Sequence, residues 1–469
     1  MNPPACTVDF DPALMARYDV PAPRYTSYPT ALQFHAGFGE AALRGAIHAS
    51  NEATPPRPLS LYVHVPFCLS PCFYCGCTRV ITRDIRKADR YLEYLHREIA
   101  MTAGLFDAGR PVRQLHLGGG TPNFLDLPRL GALVRDLATH FRFATDADGV
   151  EAGIEVDPRH ADFDYVCGLG ALGFNRISIG VQDFDPAVQA AVNRTQSMAR
   201  ICEVLEAARA ADFDSVNIDL IYGLPRQTLE GFGRTLDLVA DFAPDRIAVY
   251  GYAHLPHVFK AQRQIRTEDL PDPATRLRLF GLALEKLRDR GYVYVGMDDF
   301  ARPDDELVCA QRQGTLQRNF QGYSTRGDCD IVGLGMSAIG RIGNSYSQNA
   351  RDLPSYCMAL DNDRLPVARG IVLDDDDVIR RGVISELMCH GALDMRAFGG
   401  RQGIVFADYF AAELERLRQL EADGLVELDT QVLRVTPRGR LLLRNVAMCF
   451  DAYLSREART PQPHYARSI

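Results

Sequence analysis

Residues 62–77 read YVHVPFCLSPCFYCGC. An apolar run leads into Cys68, and Cys68, Cys72 and Cys75 stand in a C-x3-C-x2-C pattern, with Cys77 one residue further on. Three thiolates this close on one loop hold three irons of a cubane [4Fe-4S] cluster, whereas an electron-transfer cluster takes four cysteines. Three protein ligands leave one iron open, and an open metal position is where substrate chemistry takes place. The competing readings are a zinc knuckle and a group of buried cysteines. Zinc wants a fourth protein ligand, and Cys77 is cramped for tetrahedral closure beside Cys75. No second C-x2-C pair follows. The loop therefore predicts Cys68, Cys72 and Cys75 as the metal ligands.

Outward from this loop, short apolar runs alternate with helical periodicity. The pattern predicts strands at 61–65, 112–117, 153–157, 176–181, 215–221, 247–252 and 292–297. It predicts helices at 87–105, 127–141, 162–172, 198–211, 228–242 and 273–290. Six or more βα units without a nucleotide fingerprint at the first turn favour an α/β fold, a full or partial (β/α) barrel. Such barrels carry function at the C-terminal ends of their strands. The unusual motifs fall there: the cysteine loop, GGGTP at 118–122, IEVDP at 154–158, GVQDF at 180–184, NIDLIYGLP at 217–225 and YAHLP at 252–256.

The flanks differ. Residues 1–56 contain PRYTSYPT at 23–30, whose prolines and tyrosines predict an extended arm, read first as a packing strap, with Arg24 and Tyr25 as its candidates for reaching the site. Residues 57–365 form the barrel, of which 298–365, with DDFARPDDEL, RNFQGYST and GLGMSAIGRIG, read as irregular lid and pocket segments. Residues 366–469 read as a mostly helical, winged-helix-like domain: helices at 378–389, 406–422 and 439–453 and a hairpin at 425–440. The chain's net charge of -8 and the acidic residues of this tail favour a cap over a DNA-binding module. A reading as a cluster-sensing transcription factor is disfavoured on the same ground.

The other composition figures set bounds. The 469 residues are 46% apolar, enough for a large core. No basic tract points to nucleic acid. The first residues, MNPPACTVDFDPAL, lack the basic and apolar regions of a signal peptide, and no apolar run reaches membrane-span length. A reducing cytoplasm suits scattered cysteines and an oxygen-sensitive cluster.

The cysteine pattern, with Tyr74 before the last ligand, resembles the signature of radical S-adenosylmethionine enzymes. In that family S-adenosylmethionine chelates the open iron and is cleaved to a 5′-deoxyadenosyl radical. PRYTSYPT, YVHVPFC with its C-x-C, LHLGGGTP, IEVDP, GVQDF, NIDLIYGLP, YAHLP, DDFARPDDEL, RNFQGYST and RNVAMCFDAYL occur in one order across nearly the whole chain. Together they resemble the oxygen-independent coproporphyrinogen III oxidase family of haem biosynthesis. A related branch serves as a haem chaperone. It typically has phenylalanine at the position of Cys77, lacks the arm and carries a tryptophan motif; this chain has Cys77, the arm and no tryptophan. One departure is Asp299, where the relatives usually have histidine.

The resemblance implies two S-adenosylmethionine molecules. Tyr62, Gly119, Glu155 and Ile339 match the site of the first. Tyr74, Gly120, Thr121, Gln182, Arg194, Asp219 and Ala253 match that of the second. It implies Cys77, Phe320 and Gln321 as catalytic residues. It also implies coproporphyrinogen III as substrate, with Arg24, Arg302 and Arg318 as candidates for its carboxylates. An electron donor, an unidentified electron acceptor and a monomeric state complete the expectation.

Overall fold

The computed structural model describes residues 8–146, 149–454, 465 and 467. The first residues of the arm, and most of the chain after 454, thus lie outside the described residues.

Seven strands run parallel in one sheet. They are β1 (Leu59–Val65), β2 (Pro111–Gly119), β3 (Glu151–Val156), β4 (Arg176–Gln182), β5 (Ser215–Tyr222), β6 (Arg246–Gly251) and β7 (Asp330–Leu334). Their spatial order is β6-β5-β4-β3-β2-β1-β7, every neighbour parallel. Six βα units in sequence order make the partial barrel. Six helices alternate with the strands: α1 (Arg86–Ala103), α2 (Leu127–His140), α3 (Phe163–Ala171), α4 (Met198–Ala210), α5 (Leu229–Asp241) and α6 (Pro273–Asp289). Five begin at a side-chain cap: Asp126, Asp162, Ser197, Thr228 and Asp272 each accept a first-turn N–H. Leu61, Val63, Val65, Leu117, Ile179, Ile218, Leu220, Ile247 and Val249 are buried between sheet and helices, as expected where helices cover a parallel sheet.

Five expectations need correction, three here and two in the C-terminal region below. The strand in 292–297 does not continue the parallel series. Val293–Gly296 pairs antiparallel with Asp299–Ala301, which pairs antiparallel with β6. Residues 298–365 are far from irregular. Beyond β7 the sheet continues through antiparallel strands Ile339–Ile342, Ser345–Asn349 and Val367–Val372, and helices Glu306–Gln313 and Leu353–Asp361 lie in the same region. The segment 1–56 is not extended throughout: helices Pro12–Tyr18 and Glu40–Asn51 flank the extended PRYTSYPT stretch.

In the C-terminal region, helix Asp375–His390 is followed by a three-stranded sheet in which Ala392–Asp394 joins the hairpin. The helix expected at 406–422 breaks at Phe410, whose buried ring packs 4.7 Å from Phe406 and 5.4 Å from Phe450. The expected closing helix is a 3-10 turn, Gly439–Leu442, and a short helix, Leu443–Met448.

Two buried polar knots fasten these parts. Arg110 Nη2 lies 2.7 Å from Asp330 Oδ2 at the start of β7, and Arg110 also donates to Asn51 Oδ1 and to the carbonyl of Arg57. Glu98 on α1 accepts from Tyr356 Oη at 2.5 Å, Asn349 Nδ2 at 2.7 Å and Gly335 N at 2.8 Å. Burial is the first cause lifting its carboxyl to about 7. Among the described residues no helix is long and apolar enough to cross a membrane.

Candidate active site

The cysteine loop leaves the C-terminal end of β1 and folds over the ends of β2 and β3. Each predicted ligand sulfur receives a hydrogen bond. Thr121 Oγ1 donates to Cys68 Sγ at 3.3 Å. Arg194 Nη1 and Arg159 Nη2 donate to Cys72 Sγ at 3.4 and 3.6 Å. The backbone N–H of Cys77 donates to Cys75 Sγ at 3.4 Å. A hydrogen bond from the Cys77 thiol pulls Cys75 down, and the same bond drives Cys77 up. Arg79 clasps the loop from below, donating to the carbonyls of Cys72, Cys75 and Cys77.

These contacts fit an iron-sulfur cluster. Hydrogen bonds to cysteine sulfurs and nearby cations are what stabilise and tune such clusters. Among the described residues no three His, Cys, Asp or Glu side chains converge as ligands of a single ion would, whereas a cubane seats each cysteine on its own iron.

Tight backbone approach explains the GGGTP turn. A Cβ on Gly120 would meet the Pro66 carbonyl at 2.7 Å, and one on Gly119, at φ +115°, would meet the His64 ring at 2.5 Å. Gly119 N donates to Glu155 Oε2 at 3.1 Å. His116 Nε2 stands 3.5 Å from the other carboxylate oxygen, and the Tyr62 ring stacks on His116 at 6.1 Å. Tyr62 Oη pairs with His64 Nδ1 at 3.2 Å. Burial opposes the Glu155 charge, but His116 and the Gly119 N–H hold its carboxyl below the usual range. Its side chain is still 45% exposed, because it opens onto a cavity. Ile339, predicted with these groups, lies on the strand antiparallel to β7 and packs with Phe320 and Tyr346.

The second predicted group spreads along the next strand ends. Arg194 Nη1 also reaches Asp157 Oδ2 at 3.1 Å, and Arg159 shares that carboxylate at 2.6 Å. Arg194 Nε is left without a partner. Gln182 sits at φ +71° beside an irregularity in the β4–β5 register. Asp219 accepts from Ser178 Oγ at 3.0 Å and Asn217 Nδ2 at 2.8 Å. Burial, then the Glu155 charge, lifts it to about 7. Tyr74 packs with Val188, Ile221 and Tyr252. The carbonyls of Tyr74 and Ala253 accept from the Gln262 amide, which ties the loop after β6 to the cysteine loop.

Glu155 and Asp219 line a cavity of about 340 Å³ together with Arg24, Arg318, Phe320 and Gln321. Both polar atoms of the Gln321 side chain are buried without a partner, as are Arg318 Nε and Nη1. Phe320 packs edge-on to Tyr346 at 5.7 Å. Cys77 is exposed and is not among the residues lining this cavity. The arm is both strap and wall. Tyr25 Oη donates to Asp451 Oδ2 at 2.9 Å and Tyr28 Oη accepts from Ala452 N, while Arg24 pairs with Asp298 and faces the cavity. Arg302 is set apart: it is half exposed and faces Asp304 at 4.0 Å.

Sequence reasoning passed over His116, Asp157, Arg159 and Arg79. The first two stand inside motifs already singled out, LHLGGGTP and IEVDP; the arginines carried no separate signal.

A partial barrel with a three-cysteine loop at the end of its first strand defines a radical S-adenosylmethionine protein. The Radical SAM superfamily pattern matches residues 62–239, and the HemN C-terminal domain pattern matches residues 373–442. The oxygen-independent coproporphyrinogen III oxidase of Escherichia coli (strain K12) is 50% identical over 455 residues, 97% of this chain and 98% of that protein. That of Pseudomonas aeruginosa is 48% identical over 448 residues, 96% and 97% of the two chains. The solved structure of the Escherichia coli coproporphyrinogen III oxidase (HemN), described as a radical SAM enzyme, superposes with a TM-score of 0.90 at 49% identity, covering 95% of this chain and all of that one. The chain belongs to the oxygen-independent coproporphyrinogen III oxidase family. Membership brings a [4Fe-4S] cluster and S-adenosylmethionine as cofactors.

Proposed function

We propose that the protein converts two propionate side chains of coproporphyrinogen III to vinyl groups, giving protoporphyrinogen IX and two CO2. One observation carries the reading beyond family membership. The cavity lined by Glu155 is also lined by Arg318, whose Nε and Nη1 are buried without a partner and whose guanidinium lies over the Tyr323 ring at 4.7 Å, with Phe320 in the same lining. An apolar macrocycle with carboxylate arms is the kind of ligand such a surface suits.

When bound, the cluster and S-adenosylmethionine supply a 5′-deoxyadenosyl radical that takes a hydrogen from the β-carbon of a propionate. Each propionate then loses CO2 and one electron, which passes to a one-electron acceptor; a separate donor reduces the cluster. Cys68, Cys72 and Cys75 hold the cluster. Tyr62, Gly119, Glu155 and Ile339 would hold the S-adenosylmethionine that the cluster activates. A second S-adenosylmethionine lies against Tyr74, Gly120, Thr121, Gln182, Arg194, Asp219 and Ala253, because two carboxyl losses need two hydrogen abstractions. The unpartnered Arg194 Nε, and the Asp219 carboxylate that lines the cavity, support this second site. Cys77 stands as the hydrogen or proton donor near the cluster; Gln321 and Phe320 orient substrate in the cavity. The protein acts as a monomer in a reducing, cytoplasmic setting.

The test is anaerobic turnover of reconstituted protein with coproporphyrinogen III, S-adenosylmethionine and reductant, with the products identified by mass. Vinyl product and CO2 are expected. Tight tetrapyrrole binding without either would instead indicate a haem carrier of the same superfamily.

A further inference from the structure

Behind the ends of β5 and β6 lies a separate cavity of about 120 Å³. Arg24 reaches it from the arm, Arg276 from α6, and Arg440 and Arg444 from the C-terminal region; Tyr222 and Asp298 complete the wall. Arg467 also borders it but is matched by Asp19 at 2.6 Å. Among the described lining residues Asp298 is the one carboxylate, and it already pairs with Arg24. The Nε atoms of Arg276 and Arg440 are buried without a hydrogen-bond partner, and Arg440 is only 7% exposed. Burial, then the charges of Arg444 and Arg318, pull Arg24 down to about 10. Buried cations gathered in this way repel one another unless an anion joins them.

The backbone keeps the space open. Arg276 lies over the Tyr222 ring at 5.9 Å. A Cβ on Gly251, at the end of β6, would come within 2.8 Å of Tyr222 Oη and 3.2 Å of Arg276 Nη2. One on Gly223, the glycine of the YGLP motif at φ +82°, would sit 3.4 Å from Arg276 Cδ. Both strand ends are thus glycine where a guanidinium crosses them. At ~30 Å³ per water the cavity holds about four waters, room for a carboxylate and its methylenes but not for a macrocycle.

We propose that this arginine cavity is a carboxylate site that receives one propionate arm of the tetrapyrrole. Arg24 and Asp298 line both this cavity and the 340 Å³ one beside Glu155, so the ion pair they form is a shared wall, and an arm of a substrate standing in the larger space would enter the smaller where that pair parts. Arg276 and Arg440 supply the free donors, and Arg24 exchanges part of its contact with Asp298 for the incoming anion. The inference rests on the substrate reading above and adds where one carboxylate goes.

The test uses full-length reconstituted protein with Arg276→Gln or Arg440→Gln, and Arg276→Lys and Arg440→Lys as companions that keep the charge. Binding of coproporphyrin III, the stable oxidised tetracarboxylate, and of its tetramethyl ester is followed by fluorescence quenching; KM and kcat are measured anaerobically with coproporphyrinogen III. The Gln variants should weaken binding of the acid about tenfold or more, the loss expected for a charge-assisted hydrogen bond, leave the ester unaffected, and raise KM more than they lower kcat. The Lys variants should fall between, and decide the matter alone if the Gln variants do not fold. Unchanged acid binding, or equal loss for acid and ester, overturns the proposal. So does stabilisation of the wild type by acetate or phosphate without competition against coproporphyrin III, which would mark a free-anion site. Absence of vinyl product from the wild type would fail the functional reading, while the contrast between acid and ester would still decide this one.

Discussion

Arg194 stands with one nitrogen, Nη1, 3.4 Å from Cys72 Sγ, while its fellow donor to that sulfur, Arg159, is bound to the same Asp157 carboxylate. The cysteine loop is therefore held against β3 by charge as well as by packing. The carboxyl of Asp157 is kept well below its usual range, since Arg194 and Arg159 outweigh the effect of burial. Removing the Arg194 charge disfavours adding an electron beside Cys72. Arg194→Gln should lower the reduction potential of the cluster in an anaerobic redox titration; an unchanged or raised potential refutes this electrostatic role.

The three-ligand assignment separates cleanly by substitution. After anaerobic reconstitution, Cys68→Ser should lose the visible absorption and iron of the cluster, while Cys77→Ser keeps both, because Cys77 serves Cys75 as a hydrogen-bond donor and not as a fourth ligand. A colourless Cys77→Ser protein would make it a ligand.

Asp219 has hydroxyl and amide partners, Ser178 and Asn217, but burial and Glu155 raise its carboxyl to about 7. Assigned to the second S-adenosylmethionine, Asp219→Asn should cut turnover by roughly tenfold or more, as for loss of a hydrogen bond to a charged group. It should leave intact the change in the cluster spectrum on adding S-adenosylmethionine. If that spectral change disappears, Asp219 belongs to the first molecule.

Gln321 presents a buried amide with neither end satisfied, and such a group ordinarily marks a ligand or water site. Gln321→Ala and Cys77→Ala should each fold, carry a cluster and lose most vinyl product. Wild-type product yield from either variant would reduce that residue to packing.

Glu98 gives a pH dependence with a definite sign. Its folded carboxyl titrates at about 7 against an ordinary 4.5, so the folded chain keeps a proton that the unfolded chain has released. Its contribution to stability therefore falls as pH rises from about 4.5 to about 7 and is constant above. Glu98→Gln removes this slope. The difference in Tm between variant and wild type should move in favour of the variant across that window; parallel curves would show that Glu98 does not titrate there.

The six strands of the barrel and their helices were legible in the sequence because apolar runs and capped helices repeat in a fixed alternation. The cysteine loop was legible because three-cysteine spacing has few other uses. The region after residue 298 was misread for a physical reason. Gly333 and Gly340 look like loop glycines, yet a Cβ on Gly333 would strike the Ile339 carbonyl carbon at 2.7 Å and one on Gly340 the Ile331 oxygen at 3.0 Å. These glycines permit close strand crossing. Val293–Gly296 runs in the same direction as β6 but was given the wrong neighbour, because a four-residue apolar strand carries no mark of its partner, here the returning strand Asp299–Ala301. Arg276 and Arg440 were invisible because a guanidinium is ordinary on a helix and in a basic turn; only the fold draws them to one cavity.

β1 lies between β2 and β7, and β7 follows it in the chain only after all six βα units. During synthesis the strand that bears the cysteine loop therefore has one open edge until residue 334 has emerged. Its second ladder is among the most distant pairings of the sheet, the kind that forms slowly. The order of translation thus sets a waiting time on the cofactor platform: the barrel can be assembled strand by strand, but the seat for iron is flanked on both sides only near the end.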